Sequence, residues 1–215
     1  MKIFFILLGL FLALFAIWML WGWLSVRNIE EPKYTVKSSN KIYEIRTYKA
    51  HLIAKTTVEG KMNEALNKGF RRIAAFIFGK NSSQKSVAMT TPVRSQKNTP
   101  KVIAMTTPVS SKKTAPNQYT IAFVMPSEYT LKTLPMPLDE KVVIEAIPET
   151  NYAVLQFSGY VPENKAQKKI ALLQESLKKE GILTQGEAIV SQYNPPWTPW
   201  FMRRNEIWIE LASSF

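Results

Sequence analysis

The sequence predicts an α+β domain: a distorted antiparallel β-barrel of about eight strands with two amphipathic helices packed outside, preceded by one transmembrane helix. Three observations carry this expectation. An unbroken apolar run fills residues 3–24, two later segments repeat apolar residues at helical spacing, and strand-patterned segments flank each of those two. The order strand, strand, helix, strand, strand occurs twice, so the domain is expected to be an internal β-β-α-β-β duplication.

Residues 1–25 read as the anchor. At about 1.5 Å rise per residue the apolar run reaches about 30 Å, the thickness of a hydrocarbon core. Trp18, Trp21 and Trp23 gather at its end, as in the aromatic belt of a membrane interface. Residues 20–25 lack the small-residue cleavage site of a signal peptide, which predicts an uncleaved, single-pass membrane protein. The side of the soluble domain stays open. Arg27, Lys33, Lys37, Lys41 and Arg46 follow the run and favour a cytoplasmic domain, whereas a short basic tail such as the one holding Lys2 commonly stays inside. Residues 26–39 are polar and broken by Pro32, so they read as a tether, and residues 40–215 as the domain.

Within the domain, residues 41–47 and 51–58 read as a hairpin with its turn near residues 48–50. Leu52, Ala54, Thr56 and Val58 share one parity and are expected to face the core, which turns His51 outward. Met62, Ala65, Leu66, Gly69, Phe70, Ile73, Ala74 and Ile77 then recur at helical spacing until Gly79-Lys-Asn81 supplies a stop. The pentapeptide Met-Thr-Thr-Pro-Val follows twice, at residues 89–93 and 105–109, with a polar loop between the copies. Each copy is strand-like apart from a proline that removes one ladder donor. Two readings stay open for the repeat: a duplicated strand end, or backbone with unpaired groups bordering a ligand site. Residues 118–125 continue the sheet, and residues 141–147 and 152–158 read as a second strand pair. Residues 163–179 form the second helix, with Ala166, Ile170, Leu173 and Leu177 on its stripe and Gly181 at its end. Strands near residues 186–193 and 206–211 close the chain.

Composition narrows the function. No cysteine occurs, which excludes disulfides, thiolate metal sites and cysteine nucleophiles. The formal net charge is +12, but the lysines are spread over many segments, which predicts a solvated basic surface near a membrane rather than a nucleic-acid face. No Ser-His-Asp arrangement, spaced carboxylate pair, P-loop or metal-ligand cluster stands out, so no enzyme is expected.

Seven motifs occur in a fixed order: Tyr43-Glu-Ile-Arg-Thr-Tyr48; Gly69-Phe70 with Phe76-Ile-Phe-Gly79 and Asn81; Met89-Thr-Thr-Pro-Val93; Pro135 and Pro137; Phe157-Ser-Gly159; Tyr193-Asn-Pro-Pro196; and Arg203-Arg-Asn-Glu-Ile-Trp208. Together they resemble the SOUL heme-binding protein family over nearly the whole domain. The resemblance implies a distorted barrel of two repeats, similar also to the effector-binding domains of bacterial regulators. It further implies heme or another tetrapyrrole as ligand, in an apolar groove bounded by the first domain helix and the loop before the last strand.

A flat apolar macrocycle with two propionates needs a greasy wall, aromatic faces and cations at the rim. Leu66, Phe70, Ile73, Ala74 and Ile77 with Arg71 on the helix, and Trp197, Trp200, Met202 and Arg203 in the loop, are the candidates. The stripe alone more often forms plain core, whereas the aromatic loop is the more telling feature, a contact surface for the ligand or for the lipid headgroup layer. Two departures from the family pattern matter. Thr47 stands where one branch carries a histidine, leaving His51 as the candidate axial ligand to the iron, with Met89 and Met105 better read as packing. Asn67, Ala75 and Thr198 stand at positions that are cationic in characterised members. Glu44 and Arg46, two apart on one strand face, read as a structural ion pair. The function expected is therefore membrane-anchored carriage, buffering or transfer of a tetrapyrrole, with the bilayer contacted through residues 3–24. An effector-binding or sensor module, a membrane-docking scaffold and a hydrolase on this fold are the alternatives.

Overall fold

The computed structural model describes residues 1–82 and 100–212. Its first element is helix α1 (Lys2–Leu24), long and apolar enough to cross a membrane. The domain then runs β1 (Tyr34–Ser39), β2 (Glu44–Tyr48), β3 (His51–Glu59), α2 (Met62–Ile77), β4 (Asn81–Ser82), β5 (Val109–Ala115), β6 (Gln118–Val124), β7 (Met136–Pro137), β8 (Val143–Ile147), β9 (Thr150–Ser158), α3 (Glu163–Lys179), β10 (Thr184–Gln192) and β11 (Arg204–Leu211). A 3-10 turn at Trp200–Met202 precedes β11.

Nine strands form one curled antiparallel half-barrel in the order β1-β2-β9-β11-β10-β5-β6-β3-β8, and β4 pairs with β7 apart from it. The two repeats meet at the β10–β5 ladder. On one side lie β9, β11 and β10 with α3, and on the other β3, β6 and β5 with α2. The expected duplication is thus present as β2-β3-α2-β5-β6 and β8-β9-α3-β10-β11.

The first strand of each repeat crosses to the other repeat. β2 pairs with β9, and β8 pairs with β3. The hairpin expected at residues 41–58 and the strand pair expected at residues 141–158 are therefore both replaced by exchanged strands. Alternation reveals which face of a strand is buried; it carries no information on the neighbour chosen. Three further expectations change. The stretch read as a tether contains β1, an edge strand whose side chains are exposed and which pairs with β2. The second pentapeptide copy is not a strand: Thr106 makes one isolated bridge to Glu30, and the ladder begins only at Val109, past Pro108 with its missing donor. The first copy, with Met89, lies outside the described residues.

Period-2 alternation puts the apolar core on the face covered by α2 and α3. Ile121, Phe123, Leu155, Val190, Ile207 and Ile209 meet Ala65, Ile73, Phe76 and Ile77 of α2 and Leu173 and Leu177 of α3. Gly69 lets α2 lie close on β6, since a Cβ there would sit 2.4 Å from Ile121 Cγ1. Asn81, buried after α2, donates to the carbonyls of Phe76 and Lys101, both at 2.8 Å, and accepts from the Lys101 amide at 3.0 Å. It satisfies an end of the helix and fixes where the chain returns at residue 101.

Candidate functional site

The helix candidates divide by burial. Ile73 and Ile77 are fully enclosed and Ala74 nearly so, all within the core, while Leu66 packs against it from the side. Phe70 remains 38% exposed, its ring 5.4 Å from that of Phe123. Arg71 is exposed and borders a shallow cleft with Arg72, Ala75, Lys80 and Asp139.

The loop candidates have a different neighbour. Trp18 of α1 donates its indole N–H to the Trp197 carbonyl at 2.8 Å, Phe201 stacks on Phe15 at 6.2 Å, and Gly22 packs on Pro199. Trp197 and Trp200 stay more than half exposed, and Met202 is half-buried. Arg203 lies over the Tyr160 ring at 4.5 Å and donates to the Thr198 carbonyl at 2.9 Å. Helix and loop lie at the same end of the sheet. Phe123 pairs with Val109 and Val109 with Gln192, which precedes the loop, so β5 stands between the two segments. Two strand spacings amount to about 10 Å.

His51 faces away from the core, as its parity predicts, but it is half-buried there and lines a cavity of about 620 Å³. The cavity wall is mainly apolar, from Leu52, Val124, Met125, Leu131, Ala146 and Ile147, with Lys33, Lys49 and Lys132 among the polar lining. Residues 30–33, which follow α1, close one side. The Thr107 amide donates to the Glu30 carbonyl, the Ser127 amide to Glu30 Oε1 and the Lys49 amide to the Lys33 carbonyl, each at 3.0 Å. Parity gave the face of His51 correctly; that the chain on both sides folds over this face was not legible.

The imidazole is set in one form. Its Nδ1 lies 2.8 Å from the Lys49 carbonyl. A carbonyl only accepts, so Nδ1 carries the hydrogen and Nε2 is left with a free lone pair. Burial holds the His51 pKa below its usual value, against the pull of the Lys49 bond. The neutral ring is thus the form present at neutral pH, and an N–H held by a backbone carbonyl is the usual support of a metal-ligating histidine.

The sheet face away from the core also holds a second constellation, around Glu206, which is fully buried. Its Oε1 accepts from Arg46 Nη1 at 3.0 Å and Arg204 Nε at 3.1 Å; its Oε2 accepts from Tyr193 at 2.6 Å and Trp208 Nε1 at 2.7 Å. A carboxylate has about four lone-pair sites, and all are used. Burial disfavours the charge on Arg46, but Glu206, Tyr48 and Glu44 together outweigh it and the Arg46 pKa is raised. Arg46 also binds Glu44 at 2.7 Å, the ion pair expected from their spacing. Arg204 continues to Glu31 at 2.9 Å. Sequence reasoning missed Glu206 as the hub, although Arg204, Glu206 and Trp208 share one parity. Among the described residues no group of three or more His, Asp or Glu is placed to hold a metal ion.

The profile of the SOUL heme-binding protein family matches residues 29–210, which is most of the chain. The protein belongs to the SOUL heme-binding protein family. Human heme-binding protein 2 is 28% identical to this SOUL protein over 169 residues, covering 78% of this chain and 77% of the relative. Heme-binding protein 1 of Xenopus laevis is 28% identical over 172 residues, covering 77% and 82%. Among solved structures, the C-terminal domain of EcmrR superposes with a TM-score of 0.55 at 10% identity, over 84% of this chain and 99% of that one. A hydrolase from Listeria innocua gives 0.53 at 10% identity, over 82% and 94%. At such identities these two structures share the fold of the SOUL domain and nothing further.

Proposed function

We propose that this SOUL protein is a membrane-anchored, non-catalytic carrier of heme or a related tetrapyrrole. The observation that carries the reading is the family match over residues 29–210, whose relatives are named for heme binding. The anchor is α1. Residues 3–14 are all exposed and apolar, and an uncovered apolar surface of that length is stable in a bilayer rather than in water.

Within the fold, the cavity beside His51 suits the ligand. Its apolar walls match the macrocycle, Lys33, Lys49 and Lys132 match the propionates, and His51 offers an unprotonated nitrogen to the iron. Heme, were it bound there, would supply an iron centre, and His51 would be the residue to hold it. Two features favour this cavity over the groove between α2 and the aromatic loop: Ile73 and Ile77 are already spent in the core, and the loop is packed on α1. One wall of the cavity is the segment leaving the anchor, which suits a ligand that partitions into lipid.

Hemin titration of the full chain in detergent, followed by the Soret band, tests the reading. Saturation at one hemin per chain is expected. Linear, unsaturable uptake would remove the tetrapyrrole function.

A further inference from the structure

We infer that the aromatic loop before β11, residues 195–202, is a membrane wedge that enters the bilayer alongside α1. The inference rests on the reading of α1 as the anchor.

The first observation is where the loop sits. The half-buried and buried residues of α1 above Leu24 are Phe15, Met19 and Gly22, spaced i, i+4 and i+7 on one helix face. Phe15 and Gly22 on that face meet Phe201 and Pro199, and the neighbouring Trp18 holds the Trp197 carbonyl. Gly22 makes the approach possible, because a Cβ there would stand 2.7 Å from the Pro199 ring. Phe15 is nine residues from Leu24, which at 1.5 Å per residue is about 14 Å along the axis. A loop reaching that level shares the lipid around the helix rather than the water beyond it. Arg27, over the Trp23 ring at 4.9 Å, marks the polar boundary.

The second observation concerns the loop's own backbone and side chains. Irregular backbone is tolerated at membrane depth only where its polar groups are satisfied. Pro195, Pro196 and Pro199 have no N–H to satisfy. The carbonyls are taken: Pro195 accepts from the Thr198 amide at 3.1 Å, Pro196 from the Arg203 guanidinium, Trp197 from Trp18, Thr198 from Arg203 Nε, and Pro199 from the Met202 amide at 2.9 Å. Meanwhile Trp197, Trp200 and Phe201 turn 58%, 54% and 39% of their surface outward. Paired carbonyls beside outward-turned aromatic rings suit the lipid boundary of the helix, where such rings gather. The wedge would fix the orientation of the domain on the membrane, giving the anchor a second, rigid point of attachment.

The chain has no cysteine, so one substitution creates a unique labelling site. Full-length protein carrying a polarity-sensitive dye at Trp200→Cys, Leu10→Cys or Leu183→Cys is reconstituted into phosphatidylcholine vesicles. Leu183 is 71% exposed and lies at the end of β10 far from the loop. Lipids brominated on the acyl chains should quench the dye at positions 200 and 10, and aqueous iodide only the dye at 183. A dye at 200 that behaves like that at 183, while position 10 is quenched by bromolipid, overturns the wedge and leaves the anchor standing. An unquenched dye at position 10 overturns the anchor and the wedge with it. Phe201→Cys repeats the loop measurement should Trp200→Cys fail to fold.

Discussion

Arg46 Nη1 donates to Glu206 Oε1 at 3.0 Å between two side chains that are 4% and 0% exposed, on β2 and β11 at either side of β9. β2 belongs to the first repeat and β11 to the second, so this bond joins the exchanged strand to the repeat that receives it. Removing one member leaves a buried charge with fewer partners. Arg46→Ala should therefore destabilise the domain by about 3 kcal/mol, the lower end for breaking a buried pair, because Arg204 still faces Glu206. Urea unfolding followed by circular dichroism measures this, and an unchanged midpoint would show that the exchange is held by apolar packing alone.

Gly69→Ala should cost about 1–3 kcal/mol by overpacking, since the added methyl meets Ile121 at 2.4 Å from its Cγ1. Ile121→Ala in the Gly69→Ala background should restore part of the spacing between α2 and β6 and so lose less than the two single changes combined. Strict additivity in the double-mutant cycle would mean that α2 does not rest on β6 at this point.

Three local patterns were legible in the sequence. The apolar run, the helical stripe that ends at Ile77 and the stripe from Ala166 to Leu177 each describe contacts within one segment, and each became the helix expected. What stayed hidden was non-local. Nothing in residues 41–58 says that β2 leaves β3 for β9, and nothing in residues 30–33 says that they wall the cavity at His51. The sequence named the imidazole that lines this cavity, but it pointed to a groove between the first domain helix and the loop before the last strand, because the cavity is assembled from segments remote in sequence.

Five tyrosines should resist ionisation. Burial, aided by Glu180, raises Tyr43 to about 12; burial with Glu163 does so for Tyr119, and burial with Glu210 for Tyr152, while Tyr48 and Tyr193 are raised further beside Glu206. The fold prefers the neutral phenol, so between pH 10 and 12 the unfolded chain holds fewer protons than the folded one. The stability contributed is complete below pH 10 and declines as pH rises through that window. Absorbance at 295 nm should therefore show these groups ionising together with unfolding. Ionisation of all tyrosines near pH 10 with the fold intact would contradict it.

Trp200→Ala separates the two candidate ligand sites. With the tetrapyrrole in the His51 cavity, hemin affinity should be unchanged by the substitution, whereas Leu131→Asp, which puts a charge on the cavity wall, should weaken it strongly. The reverse order of effects in fluorescence-quenching titrations would move the ligand to the groove between α2 and the loop.

The most direct measurement compares the electronic absorption and EPR spectra of ferric hemin bound to the full chain and to its His51→Ala variant. Apolar burial, at roughly 25 cal/mol per Å², supplies most of the binding, so the variant should still take up one hemin. It should also lose the signature of imidazole ligation, because no other histidine exists in the chain. Spectra that remain identical after the substitution would place the iron away from His51 and contradict the assignment of the cavity as the tetrapyrrole site.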